Sequence, residues 1–250
     1  MTGFPKILFD SRLADVTLVA SSVAAGFDVQ NLIDFRPYTW FKPNVMPATI
    51  TANLTASGNA DYCFVYGHDM GTQNTTFEVR GSTDNFGAVD DLVATISPAD
   101  DKPFLLTFAE LGYNDWRINL TGATAPSIAI ISLGFALTFP RRLLNGFDPL
   151  GRKIYGQTNT SAKGYPLGKV FEFEEWNETL NFTNLTWDWI RTTFVPAWKA
   201  HLRGSPFGFA WDSVDHITEL YLVESKDKFS TPHTQGSYAA LTMDVSGVVP

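Results

Sequence analysis

The stretch that decides the fold lies at residues 60–69 and reads ADYCFVYGHD. Its centre, Tyr62–Tyr66, is a dense run of aromatic and β-branched side chains, which is typical of a buried strand. A second strand is predicted at Thr75–Gly81, where Phe77 and Val79 share one face and charged residues occupy the other. Two such strands with a turn between them indicate a sheet with one face in a core.

Outward from this stretch, residues 29–139 continue as short strands separated by turn residues. Further strands are predicted at Ala48–Leu54, Phe104–Leu111, Trp116–Leu120 and Ser127–Phe139. The last of these is one long buried strand or two strands that meet at Gly134. A spacing of this kind, with no amphipathic helix in between, favours an antiparallel sandwich or jelly roll.

The second half of the chain has a different pattern. Residues 140–175 indicate a linker that turns into a hairpin, in which Gly151–Gly156 pairs with Gly168–Glu174. Between these strands, Gln157–Gly164 is rich in Thr, Asn, Ser and Gly, and we expect it to form a flexible arm.

A single helix is predicted at residues 184–203. Large apolar residues recur there at spacings of three, four and four, which places them on one helical face; they are Trp187, Ile190, Phe194 and Trp198. Asn184 or Thr186 can cap the start of the helix, and Pro196 is expected to kink it. Strands follow at Gly208–Trp211, Ile217–Glu224 and Tyr238–Val245.

These patterns together predict a mainly β protein. We expect an N-terminal strand or arm at residues 1–28, a β-sandwich at 29–140, and a smaller α+β unit at 141–250 with one helix packed on antiparallel strands and the arm at 157–164.

Composition excludes several classes of partner. The chain has 250 residues, 18 Lys and Arg against 26 Asp and Glu, a net charge of −8, and only 18% charged residues. An acidic chain without a basic cluster is a poor partner for nucleic acid or for an anionic membrane. No apolar run reaches the ~20 residues of a membrane span, and no secretory signal pattern stands out, so we expect synthesis in the cytoplasm. Cys63 stands alone, which excludes an internal disulfide.

The sequence offers no catalytic constellation, and we expect no enzyme and no cofactor. It has neither a phosphate-binding glycine loop nor a nucleophile elbow. His68 and Asp69 are adjacent on a predicted strand, and His216 and Glu219 are three apart on another, so each pair points to opposite faces. Acid doublets such as Asp90-Asp91 are typical of solvated surface.

Metal binding is not expected either. Four acids lie on loops of the first half and are interpreted as turn formers, although a calcium ion stays open; they are Asp34, Asp69, Asp84 and Asp91.

Loop-borne aromatic residues give the strongest binding signal. Residues 36–41 read RPYTWF, and the two prolines at 37 and 43 indicate an extended loop. Burial in the core is the default for such aromatics, but Arg, Tyr and Trp on a loop are also typical of interfaces and stacking platforms. We therefore take Arg36, Tyr38, Trp40 and His68 as candidate residues for binding a carbohydrate or a protein partner.

Three stretches carry a family resemblance. Residues 31–40, 60–69 and 77–84, with one strand ending in Tyr-Gly-His and the next in Gly-Ser-x-Asp, resemble the galactose-binding-like, discoidin-type jelly roll over Val29–Phe139. Such modules occur in tailed-phage virion proteins. In the second half, residues 206–212 (PFGFAWD) and the terminal strand are similar to the ends of distal-tail and baseplate ring subunits of siphophages.

The resemblance implies a non-enzymatic virion protein of the phage tail tip. Such a subunit would form a ring with copies of itself around the distal tail tube and contact the tube, tape-measure end, hub or fibres. The low charge and the 35 aromatic residues are typical of large interfaces between subunits, although a β core also explains much of them.

The alternative is a carbohydrate-binding module for the host surface. In discoidin-type lectins the sugar site lies on loops at one end of the barrel, but the terminal cysteine pair of the secreted modules is missing here, so lectin activity is not implied. A glycan hydrolase, supported only by the fold and scattered acids, is a third hypothesis.

Overall fold

The computed structural model describes residues 3–144 and 146–248, which form two compact units. The first unit comprises residues 3–139 and 207–220, and the second comprises residues 140–206 and 221–248. The first unit thus takes in the N-terminal residues that the sequence assigned to a separate strand or arm, and it recruits a late segment of the chain.

The first unit is an antiparallel β-structure with eight strands. They are β1 (Lys6–Ser11), β2 (Val19–Ala20), β3 (Ala48–His68), β4 (Thr76–Ser82), β5 (Asp91–Ile96), β6 (Phe104–Thr121), β7 (Ile128–Thr138) and β10 (Phe207–Ala210). Neighbouring strands follow the order β5-β4-β6-β3-β7-β1-β10, and β2 pairs with β3. Short 3₁₀ turns lie at Arg12–Asp15 and Val29–Ile33. The order crosses the chain sequence repeatedly, as jelly-roll connections do, and the predicted fold class is confirmed.

The two long strands β3 and β6 each span two of the short strands that the sequence predicts. β3 pairs with β6 from Ala48 opposite Leu120 to Val65 opposite Phe104. The register shifts between Asn53 and Gly58, where the sequence loses its apolar alternation. Pairing resumes at Gly58 opposite Tyr113, because a bulge absorbs the extra residues of β3 without ending the ladder.

The core lies on the inward face of these strands. Phe77 of β4 lies opposite Leu120 of β6, and Val79 lies opposite Ile118. All four side chains are fully buried, as the predicted alternation requires. Each such side chain contributes about 1.5–3 kcal/mol of hydrophobic stabilisation.

The second unit combines strands with one helical segment. Its strands are β8 (Lys153–Thr160), β9 (Pro166–Thr186), β11 (Leu220–Ser230), β12 (His233–Gln235) and β13 (Tyr238–Val248). They are antiparallel in the order β11-β13-β9-β8, with β12 paired to β13. The predicted α+β character of the second unit is confirmed.

The helical segment spans residues 187–202, as the apolar spacing predicts. The segment alternates between α-helical and π-helical turns. The α-helical turns are Trp187–Trp189 and Val195–Ala197, and the π-helical turns are Ile190–Phe194 and Trp198–Leu202. The Thr186 hydroxyl accepts the Trp189 N–H at 3.3 Å and caps the start. Phe229 of β11 packs against the helical segment, with its ring centroid 5.1 Å from that of Phe194 and 4.9 Å from that of Trp198.

The expected flexible arm at Gln157–Gly164 is an extension of a β-hairpin. Gln157 pairs with Val170, and Asn159 pairs with Gly168. The polar composition suggested a loop, but backbone N–H and C=O groups form the ladder whatever the side chains are. Among the residues that the structure describes, no helix is both long and apolar enough to cross a membrane.

Candidate functional site

The site lies in the first unit and begins with the loop that carries Trp40. The Asp34 carboxylate accepts the Arg36 N–H and the Thr39 hydroxyl, each at 2.8 Å. The Asn31 amide donates to the carbonyl oxygen of Trp40, also at 2.8 Å. These contacts fix the loop from inside, as Asx-turn side chains commonly do.

The end of this loop is attached to β7. Phe41 exchanges two backbone hydrogen bonds with Ile128, at 2.8 and 2.9 Å, and its side chain is fully buried. Trp40, one residue earlier, is only partly buried. Because a buried residue anchors the chain directly beside it, Trp40 is held in a defined position next to solvent.

The end of β3 forms the opposite wall. Gly67 has φ +63°, a conformation that L side chains rarely adopt, and a Cβ built there would lie 3.9 Å from the indole of Trp40. His68 follows and is buried. Its Nδ1 accepts the Met70 N–H at 3.3 Å, so its Nε2 carries the proton and donates to the Lys102 carbonyl oxygen at 2.8 Å.

Burial lowers the pKa of His68, and the Lys102 carbonyl opposes this only in part. The ring is therefore neutral near pH 7. Both of its nitrogens are bound to the main chain, so the imidazole acts as a fixed part of the wall.

Asp69 and Ser127 complete the site. The Ser127 N–H donates to the Asp69 carboxylate at 2.7 Å, and the Asp69 N–H donates to the Ser127 carbonyl at 3.2 Å. The Gln73 amide reaches the second carboxylate oxygen at 3.4 Å. A carboxylate offers about four lone-pair positions, so Asp69 can accept further hydrogen bonds.

These groups line an open surface cavity of about 370 Å³, whose lining residues are Phe27, Trp40, His68, Asp69 and Ser127. The volume lies within the ~300–1,000 Å³ of small-molecule sites. An aromatic surface therefore faces the same space as a carboxylate.

The structure brings together two of the four predicted site residues. Trp40 and His68 line the cavity, whereas Arg36 and Tyr38 lie on the same loop and outside the lining. Tyr38 is 72% exposed, and Arg36 is also exposed. Sequence reasoning missed Phe27 and Ser127 as site residues. Asp69 had a signal, its position after the Tyr-Gly-His strand end, but was considered only as a partner of His68 in catalysis and as a loop acid, not as a binding residue.

The four loop acids serve separate local roles. Asp34 fixes the Trp40 loop, Asp69 binds Ser127, and Asp91 accepts the Tyr113 hydroxyl at 2.9 Å. Asp84 organises its own loop. Hydrogen bonds to its carboxylate, above all from the Ala88 N–H and then from the Ser82 hydroxyl and the Val89 N–H, hold the pKa of this carboxyl below its usual range. Within residues 3–144 and 146–248, no three His, Cys, Asp or Glu side chains are grouped to hold a metal ion.

One prediction about the second histidine pair was wrong. His216 and Glu219 were expected on opposite faces of a strand, but that strand begins only at Leu220. Both residues lie in the preceding turn, where His216 Nδ1 is 2.9 Å from Glu219 Oε1, and Trp211 donates to the other oxygen at 2.9 Å. Asp212 accounts for the turn, because its carboxylate accepts the N–H groups of Val214 and Asp215.

Comparison with known proteins gives matches only among solved structures. No family model and no curated protein matches the chain. A chitosan-binding module from a chitosanase/glucanase of Paenibacillus sp. IK-5 is 20% identical, with a TM-score of 0.41 over 49% of this chain and 97% of that one. The family 32 carbohydrate-binding module of C. perfringens NanJ, solved with galactose, is 16% identical, with a TM-score of 0.42 over 52% and 98%.

A third similar structure is the family 32 module of AlyQ, solved with 4,5-unsaturated mannuronic acid. It is 20% identical, with a TM-score of 0.41 over 50% of this chain and 96% of that one. The tail-tip part of the sequence resemblance stays a prediction.

Proposed function

We propose that the first unit binds carbohydrate in the cavity beside Trp40. The observation that carries this proposal is the lining itself, in which Trp40 and Asp69 face one space. A sugar ring has an apolar C–H surface and a rim of hydroxyl groups. An indole can cover the first, while a fixed carboxylate accepts from the second.

Charge supports a neutral or amino sugar as the ligand. The first unit contains 7 Lys and Arg against 17 Asp and Glu, a net charge of −10. An acidic surface and a carboxylate inside the cavity repel uronic acids and other polyanionic glycans. Arg36 and Tyr38 extend the same loop toward solvent and can contact further units of a longer chain.

Binding without catalysis is part of this proposal. His68 is the group beside Asp69 that would most readily move a proton, but both of its ring nitrogens are engaged by the main chain. A general acid or base needs a free position within hydrogen-bond reach of the ligand. The arrangement therefore favours a binding module over a hydrolase.

The test is a glycan array followed by isothermal titration calorimetry on the intact chain. We expect binding to a neutral or amino-sugar oligosaccharide and a loss of about tenfold or more with Trp40→Ala, because an aromatic platform is removed. Tyr38→Ala removes an exposed ring without disturbing the core, and we expect it to lower the affinity for longer glycans. Tyr165→Ala, an exposed aromatic of the second unit, is the matched control. An unchanged affinity of Trp40→Ala for the glycan would contradict binding at this site.

A structural role in a phage tail tip is the second candidate. The observation that favours it is a set of large apolar side chains exposed on the β8–β9 hairpin, including Leu167 and Phe171 at 68% and 58% exposure. Exposed apolar patches commonly mark protein interfaces. Mass spectrometry of intact particles from a phage that carries this gene tests the role, since a structural subunit stays with the purified tail.

A further inference from the structure

A second cavity of the first unit lies at the far end of β7 from Trp40. It is an open surface cavity of about 420 Å³, and all of its lining residues belong to the first unit. β7 begins at Ile128, which pairs with His68 beside the first cavity, and ends at Thr138, which lines the second cavity. Strands rise about 3.3 Å per residue, so the two ends of β7 lie roughly 30 Å apart.

Hydrogen bonds hold two walls of the second cavity together. The Gly3 N–H donates to the Asp212 carboxylate at 2.8 Å, and the Ser213 hydroxyl donates to the Phe4 carbonyl oxygen at 3.1 Å. A Cβ built at Gly3 would lie 2.7 Å from the Ser213 nitrogen, so the N-terminal segment and the turn after β10 are in close contact. A ligand therefore meets a largely preformed surface, as is usual for small-molecule sites.

Three apolar residues form one part of the lining. Phe4 and Val214 are 46% and 56% exposed, and Phe108 of β6 is half-buried, with its ring centroid 6.3 Å from that of Trp116. Two aromatic residues on separate, fixed elements thus line one cavity. Aromatic surface in a fixed position next to solvent can cover the C–H face of a sugar ring.

The polar part of the lining contains an ammonium group that can still donate hydrogen bonds. The Lys6 side chain is 14% exposed, and its ion-pair partner among the described residues is Asp61, with Nζ 3.6 Å from Oδ2. A charge-assisted hydrogen bond is about 2.7–2.9 Å long, so the three donors of this ammonium remain able to bind a ligand. The exposed residues Thr107 and Thr138 add two hydroxyl groups.

This combination fits a neutral sugar. A sugar hydroxyl can accept from Lys6 while the ring packs on Phe4, so both kinds of lining group gain a partner. An anionic ligand would meet the Asp61 carboxylate beside the ammonium and a unit with a net charge of −10. A purely apolar ligand would displace water from Lys6 without replacing its hydrogen bonds.

We propose that the second cavity is a second carbohydrate site, so that the first unit binds two glycan strands at once. The inference rests on the proposed carbohydrate binding and extends it from one site to two. The second site is the weaker one, because a phenyl ring offers less surface than the indole of Trp40. A short oligosaccharide does not reach both sites, and so one protein chain links two strands and gains avidity for a polysaccharide.

Isothermal titration calorimetry of the intact chain with the best neutral oligosaccharide from the glycan array is the first test. We expect two sites of unequal affinity in the wild type and the weaker one alone in Trp40→Ala. Phe4→Ala with Val214→Ser lowers the affinity of the weaker site by about tenfold and keeps the stronger one. The matched control is Phe135→Ala with Val19→Ser, an exposed pair of the same unit outside both linings, and it binds like the wild type.

The outcomes separate the two proposals. A wild type with one site, lost in Trp40→Ala, overturns the second site and leaves the proposed function in place. A wild type that binds no glycan overturns both. Thermal unfolding of each variant near the wild-type temperature confirms that a lost site is not a lost fold.

The ammonium group is tested by Lys6→Met, which keeps most of the side-chain length and removes the charge. We expect the weaker site to lose about tenfold in affinity and the stronger site to stay unchanged. Lys199→Met, at an exposed lysine of the second unit, makes the same charge change and leaves both sites as they are. Wild-type binding by Lys6→Met would contradict the role of this residue in the site.

Light scattering of a soluble polysaccharide built from the same neutral sugar tests the link between strands. The wild type should raise the scattering by joining strands, and excess protein should reverse the rise because each strand is then saturated. Trp40→Ala and the variant Phe4→Ala with Val214→Ser should each bind the polysaccharide without joining strands. Wild-type scattering in both variants would overturn the two-site proposal.

Discussion

His68 donates its Nε2–H to the carbonyl oxygen of Lys102 across 2.8 Å and accepts the Met70 N–H at Nδ1. The Phe104 ring lies edge-on, with centroids 5.2 Å apart. A buried imidazole with this pattern is a neutral structural group whose protonation would break the Met70 contact. Stability of the first unit should therefore depend on pH through this residue.

The sign of that dependence follows from the lowered pKa. Below the ordinary histidine value of 6.5 the unfolded chain takes up a proton that the folded chain excludes. Stability is complete above that value and falls as pH drops toward the folded pKa, by at most about 1.4 kcal/mol per pH unit for one group. Urea unfolding at successive pH values measures the slope. We expect a shallower slope in His68→Gln and the wild-type slope in His233→Gln, which changes an exposed histidine; equal slopes in all three would exclude this role.

Gly134 of β7 provides a backbone prediction. A Cβ at this position would lie 1.5 Å from the carbonyl oxygen of Asp10 in β1. Gly134→Ala must push two paired strands apart, and we expect a loss of more than about 2 kcal/mol in the free energy of unfolding. Gly204→Ala is the control, because nothing lies within 4 Å of its Cβ; it should leave stability unchanged or raise it by up to ~1 kcal/mol. Similar effects of both changes would refute the close approach.

Cys63 should be unreactive in the folded protein. It is fully buried in β3, and burial raises the pKa of its thiol. Since only the thiolate attacks a disulfide reagent, we expect Ellman's reagent to react after unfolding in denaturant and not before. Rapid stoichiometric reaction of the native chain would contradict the burial of this strand.

Trp176 and Tyr221 form the aromatic centre of the second unit, stacked with centroids 4.1 Å apart. Trp176→Leu removes this stack and the indole hydrogen bond to the Asp148 carbonyl, and we expect a loss of about 3 kcal/mol. Tyr221→Phe removes only the hydroxyl that donates to Pro149, at a cost of about 1 kcal/mol. Tyr165→Phe, at an exposed ring, serves as the control. Chemical denaturation gives all three values, and a smaller loss for Trp176→Leu than for Tyr221→Phe would contradict the packing.

The sequence predicts those elements whose side chains alternate regularly. Phe77 and Val79 located β4, and the spacing of Ile190 and Phe194 located the helical segment. It fails where backbone pairing alone maintains a strand. The polar end of β8 carries no side-chain signal and yet is paired with β9, and β3 resumes its pairing with β6 at Gly58 after an irregular stretch.

The site was predictable in part for a related reason. Trp40 stood out as an aromatic residue on a predicted loop, and His68 stood out at the end of the Tyr-Gly-His strand. Ser127 did not, because its place beside Asp69, 58 residues earlier, depends on the pairing of β3 with β7. The net charges of residues 1–140 and 141–250 are −7 and −1, and they become −10 and +2 once residues 207–220 are assigned to the first unit.

The most direct test of carbohydrate binding by the first unit is a two-dimensional NMR titration of the ¹⁵N-labelled intact chain with the oligosaccharide that the glycan array selects. The account predicts that the largest shifts fall on the indole N–H of Trp40 and on the amides of Asp69 and Ser127, while the amides of the β8–β9 hairpin stay unchanged. Shifts that leave these three groups unaffected, or an array on which no glycan binds, would contradict it.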